Sequence, residues 1–117
     1  MRDFQWSAAE KKVARAAFDL ALSREMRSVR HEIEAMLGRS SDPGEVWRIH
    51  DYLSDRRQEI DYKYDYRYSV LITVFSRLVQ EGWLTEEELD GLGPEKLEVI
   101  RRAVALNREE VDEVGNR

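Results

Sequence analysis

Between Ser7 and Leu37 about thirty residues pass without a proline or a glycine, and Ser7 followed by Glu10 is the S-x-x-E pattern of a capping box. At ~1.5 Å per residue a helix of that length is roughly 45 Å long, more than a single small domain needs for its own core. Phe18, Leu22, Met26, Val29, Ile33 and Met36 recur along it in steps of three and four, and a second row, Val13, Ala16, Ala17, Leu20 and Ala21, widens the apolar stripe in the first half. A long helix with so broad a stripe predicts an all-α fold in which part of the helix needs a further surface to cover it.

Gly38 is placed to end this helix, and Asp42-Pro43-Gly44-Glu45 reads as an N-cap, a proline at the first helical position and an acidic first turn. A turn that short makes the first two helices antiparallel neighbours. The second helix has two distinct faces. Val46, Ile49, Leu53 and Ile60 form a stripe suited to burial, while Trp47, His50, Ser54, Arg57 and Asp61 share another face with Asp51 on its flank. Tyrosines at 62, 64, 66 and 68 then alternate with charges, a period of two that suits a short exposed strand, although Ser69 as a cap and the local charges equally suit a bend between helices.

Val70 to Val79 is apolar nearly all round and reads as a buried helix closed by Gly82. Thr85 with Glu88 is a second capping box, opening a short turn that ends near Gly91, and Pro94 starts a last helix with Leu97, Ile100 and Val104 on one side, ending near Asn107. The predicted architecture is a single domain: a long antiparallel helical hairpin and dimer stalk over 1–68, a small helical head over 69–108, and a frayed tail over 109–117.

Several function classes are disfavoured on composition. The net charge of −5, with 37% of residues charged, argues against general binding to a phosphate backbone, and Asp61 and Asp65 cancel the cations among the tyrosines that would otherwise suit stacked bases. There is no cysteine, and two histidines among scattered carboxylates announce no metal site. His50 and Asp51 suggest a general base, but neighbours on a helix point about 100° apart and no nucleophile motif accompanies them, so catalysis is not expected. The start of the chain lacks an apolar leader, and the apolar run Val70 to Phe75 is too short to span a bilayer. A cytoplasmic interaction protein fits best. Trp47 with Arg57 has the make-up of an interface anchor, either in a homodimer seam or on a surface for another protein.

The run WRIHDYLSDRRQEIDYKYDYRYSV, with the apolar segment after it and EGWLTEEEL, resembles the fluorescence recovery proteins of cyanobacteria, most densely from Trp47 to Leu89. The resemblance implies an all-helical homodimer with no cofactor, which binds the photoactivated orange carotenoid protein, detaches it from the phycobilisome and speeds its return to the dark-adapted form. No covalent bond is made or broken in that action. The family's patch of Trp, His, Asp and Arg falls on Trp47, His50, Asp51 and Arg57. A partner-binding surface on the head falls on Thr73 and Val99, where the family pattern carries an aromatic residue and a lysine. An alternative implied by those two positions is a dimeric interaction module of the same type with a different protein partner.

Overall fold

The computed structural model describes residues 4–115, with side chains through residue 109. Helices α1 (Ala8–Arg39), α2 (Glu45–Lys63), α3 (Leu71–Gln80) and α4 (Pro94–Gly115) are joined by short connections, with a 3-10 helix η1 (Glu87–Leu92) between α3 and α4. The described residues contain no strand. The tyrosine stretch is neither strand nor helix: α2 stops at Lys63, Tyr64 to Arg67 is irregular, and a turn leads into α3.

Both bonds of the first capping box are present, Glu10 N–H to Ser7 Oγ at 3.1 Å and Ser7 N–H to Glu10 Oε1 at 2.9 Å. The helix they open has 32 residues, so at ~1.5 Å each it covers most of the molecule's 52 Å length. A radius of gyration of 17.2 Å exceeds the roughly 13 Å of a compact chain of this length, because the hairpin projects away from the core.

That core lies at one end. Ala14, Ala17, Phe18 and Ala21 of α1 meet Leu71, Phe75 and Leu78 of α3, Leu89 and Leu92 of η1, and Ile100 and Val104 of α4, all buried. The alanines allow close approach of neighbouring elements, and each large side chain removed from water contributes about 1.5–3 kcal/mol. Gly91 of η1 faces Val13 so closely that an added Cβ would fall 2.4 Å from Val13 Cγ2, so a side chain there would push η1 off α1. Gly82, at φ +86°, ends α3 in a Schellman motif, with Gly82 N–H bonded to Val79 O at 3.1 Å and Trp83 N–H to Leu78 O at 2.9 Å.

Four local expectations are corrected. Gly38 lies inside α1 and Ser40 is the C-cap, with extended backbone. Asp42 acts from two positions further out than expected: its carboxylate accepts the Gly44 N–H at 3.1 Å, and Gly44 is the N-cap of α2. Val70 rather than Ser69 precedes α3, with no side-chain cap. The last helix continues past Asn107 to Gly115, across most of the stretch expected to fray; residues 116 and 117 lie outside the described residues.

The buried line of α1 also departs from the expected stripe. Phe18, Ala21, Glu25 and Val29 are buried, whereas Met26 is 51% exposed. Steps of four drift around a helix that turns every 3.6 residues, so the stripe through Met26 rotates off the face that the head covers.

Candidate functional site

Helix α2 has 19 residues and buries only Ile60 and Lys63. Its inner face, with Leu53 and Ile60, stands over Met26 and Val29 of α1 around a recess of about 360 Å³. Val46 and Leu53 remain exposed there, as does Leu37 near the hairpin tip.

The neighbouring, outward-turned face carries the predicted row, and its Arg57 and Asp61 also edge that recess. Trp47 is 70% exposed, and His50, Asp51 and Arg57 are exposed as well. The Trp47 and His50 rings meet edge to face with centroids 6.2 Å apart. His50 Nδ1 comes within 3.5 Å of Asp51 Oδ1, and Arg57 Nε lies 3.6 Å from Asp61 Oδ2. These long, solvated contacts hold the side chains loosely. A row so open lacks the desolvated pocket that acid–base catalysis works in, and it is free to be covered by another surface.

Thr73 and Val99 come together at a second place. They line a groove of about 670 Å³ between α3 and α4, with Ile72, Arg77, Glu81 and Ala103 around them. Arg77 Nε donates to Glu81 Oε2 at 2.8 Å, and Asn107 Nδ2 donates to Gln80 Oε1 at 2.6 Å, so the groove is apolar along its length and polar at its rim.

Between the two surfaces lies a buried network that the sequence reading did not single out. Glu25, only 1% exposed, accepts hydrogen bonds from Arg56 Nη2 at 2.6 Å, Lys63 Nζ at 2.7 Å and the Tyr64 hydroxyl at 2.9 Å. The Lys63 ammonium also donates to Glu81 Oε1 at 2.6 Å, and Trp83 Nε1 donates to the same oxygen at 3.0 Å. Burial and the hydrogen bond to Glu25 both push the Tyr64 hydroxyl above its usual range. Burial raises the Glu81 carboxyl, and the hydrogen bonds from Lys63 and Arg77 outweigh it, leaving the group below the ordinary carboxylate range. The signal in the sequence was a glutamate at a core position of α1, in register with Phe18, Ala21 and Val29.

The tyrosines take their places around the same junction. Tyr64 and Tyr66 set their rings edge-on to Phe18 at 5.4 and 4.9 Å, and Arg15 lies over the Tyr66 ring at 4.7 Å. Tyr68 stacks at a tilt on Trp6, whose other neighbour is the Lys96 ammonium at 4.9 Å. Alternate tyrosines of an irregular but extended segment thus face α1, while Tyr62, still on α2, is 85% exposed. Trp6 and Trp83 both pack against the core near helix ends.

Two further clasps fix the head to α1. Arg24 pairs with both Glu88 oxygens at 2.8 and 2.7 Å and donates to Trp83 O at 2.9 Å. Lys96 donates to Glu10 Oε2 at 2.6 Å and to Gln5 O at 2.8 Å. The hydrogen bond from Lys96, helped by that from Ser7 N–H, holds the Glu10 carboxyl at about 2, and the Arg24 fork holds Glu88 at about 2. No group of His, Asp or Glu among the described residues converges in a way that could hold a metal ion, and no described helix is long and apolar enough to cross a membrane.

The architecture has close counterparts. A fluorescence recovery protein from Fremyella diplosiphon has a solved structure that superposes with a TM-score of 0.78 at 42% identity, covering 85% of this chain and 97% of that one. The corresponding structure from Synechocystis gives 0.80 at 38% identity, covering 86% and 99%. In sequence, a Synechocystis fluorescence recovery protein is 39% identical over 101 residues, 86% of this chain and 93% of the relative. The family described as photoprotection regulator fluorescence recovery protein matches residues 6–104, which takes in α2 and its outward row, the buried junction and the groove at Thr73 and Val99. An all-helical chain with that match over nearly its whole described length belongs to the fluorescence recovery protein family of photoprotection regulators.

Proposed function

We propose that the protein is a cytoplasmic homodimer that binds the photoactivated orange carotenoid protein and speeds its return to the dark-adapted form. The observation that carries the dimer is the uncovered hairpin: its exposed apolar side chains on α1 and α2 lie beside a row of Trp47, His50, Asp51 and Arg57 that is left exposed among the described residues. The row is self-complementary. Two copies of α2 crossing antiparallel about Ser54 set Asp51 against Arg57 and Trp47 against Asp61, so every carboxylate meets a cation or an indole N–H. The intrahelical Arg57–Asp61 contact at 3.6 Å is weak enough to be exchanged for such a pairing.

Action on the carotenoid protein follows from binding alone. A partner that interconverts between two forms returns faster when the contacts offered are stronger in the rearranging state than in the active one, and the apolar groove at Thr73 and Val99, with its Arg77–Glu81 rim, supplies contacts of that kind on the head. A second reading keeps the dimer and changes the protein partner. It is favoured by Thr73 and Val99 themselves, since a small polar and an aliphatic residue offer a different groove from an aromatic and a lysine.

Light scattering tests the seam. Asp51→Arg and Arg57→Asp each oppose like charges across the two-fold and should release single chains, whereas the double exchange should restore the dimer mass. Unchanged mass in both single variants refutes the seam on this face.

A further inference from the structure

We infer that Glu25, Lys63 and Glu81 form a relay that ties the base of α2 to the rim of the head groove, so that a change at Glu81 alters how tightly the end of α2 is held. Three observations converge on it. First, apart from Arg56, which bonds Glu25 at 2.6 Å, α2 has little else to hold it on its own chain, since only Ile60 and Lys63 are buried among its residues and a recess remains beside Leu53. Second, Lys63 is the shared donor: its ammonium, in an almost fully buried side chain, bonds Glu25 on α1 and Glu81 after α3, at 2.7 and 2.6 Å. Third, the two ends of the relay differ in access. Glu25 is sealed, whereas Glu81 is about one third exposed and lines the groove with Arg77, Thr73 and Val99.

The chemistry gives the relay a sign. Glu81 accepts from Lys63, Arg77 and Trp83 together, so a competing cation in the groove draws its carboxylate away and leaves Lys63 with Glu25 alone. An anion there takes Arg77 instead and leaves Glu81 to Lys63. A cationic contact therefore loosens the last turn of α2 and the Tyr64 to Arg67 segment, and an anionic one tightens them. The inference depends on the proposed role of the groove only for its physiological meaning, because the coupling is read without any carotenoid protein.

Amide hydrogen exchange on the full chain tests it. In Glu81→Gln the weakened acceptor should speed exchange of residues 58–66 by about tenfold, the loss of roughly one hydrogen bond to a charged group, while Ala14 to Ala21 stay unchanged. Glu86→Gln, which removes an exposed pair with Arg101 at 3.1 Å, is the control and should change neither segment. In a Lys63→Met background the Glu81 substitution should add nothing. Unchanged exchange over residues 58–66 in Glu81→Gln overturns the relay, and so does an equal acceleration in both segments. Parallel light scattering keeps a loss of dimer separate from a loss of the relay.

Discussion

Gly91→Ala puts the packing of η1 on α1 to a quantitative test. A methyl group at that position would stand 2.4 Å from Val13 Cγ2 and 3.3 Å from Val13 Cβ and Cγ1. Carbon atoms rest about 3.5–4.0 Å apart, so one contact is short by more than about 1 Å. Val13 cannot readily turn aside, because a β-branched side chain in a helix has one strongly preferred rotamer. The displacement therefore passes into η1, whose Leu89 and Leu92 are fully buried. Overpacking of this kind costs about 1–3 kcal/mol, and at about 4 °C per kcal/mol for a domain of this size the melting temperature falls by about 4–12 °C. Val13→Ala removes both close Cγ atoms, so the double variant should be no less stable than Val13→Ala alone, a coupling that thermal melts at one fixed protein concentration will read. Gly91→Ala melting with the parent protein, or strictly additive losses in the double variant, would refute the packing argument.

Two other outcomes follow from the clasps and the buried network. Glu10 and Glu88 titrate near 2 in the folded chain, below the unfolded value of 4.5, so the stability they add is complete above about pH 4.5 and drains away as the pH falls towards 2. Urea titrations across that window should show a shallower decline in Glu10→Gln and Glu88→Gln than in the parent, and parallel slopes would contradict the assignment. Glu25→Leu strips Arg56 and Lys63 of their shared acceptor and should destabilise the chain by about 3–5 kcal/mol, part of which Glu25→Leu with Lys63→Met regains. A neutral Glu25→Leu would mean that the network adds nothing to folding.

What the sequence disclosed were the features carried by local rules. Both capping boxes form, Ser7 with Glu10 and, at the mouth of η1, Thr85 with Glu88, whose two bonds measure 2.9 and 3.3 Å. Gly82 closes α3 as its position implied, and the turn around Asp42 makes a hairpin. The apolar stripe of α1 was misplaced because Met26 and Glu25 are neighbours, and hydrophobicity favours the methionine although packing buries the glutamate. Burial of Glu25 depends on Arg56, Lys63 and Tyr64, each more than thirty residues away in sequence, which no local pattern encodes. The tyrosines left strand and bend both open for a related reason: their period of two is real, but it matches rings to Phe18 and Trp6 across an irregular segment rather than to a neighbouring strand. Trp47, His50, Asp51 and Arg57 were legible as a helical row, and Thr73 and Val99 meet in one groove only once α3 and α4 pack.

The most direct measurement is the dark recovery of photoactivated orange carotenoid protein, followed by its absorbance with and without this protein at micromolar concentration. The proposed function predicts faster recovery, in proportion to the protein added, and a complex that co-elutes on size exclusion after illumination. An unchanged recovery rate with no complex would contradict it.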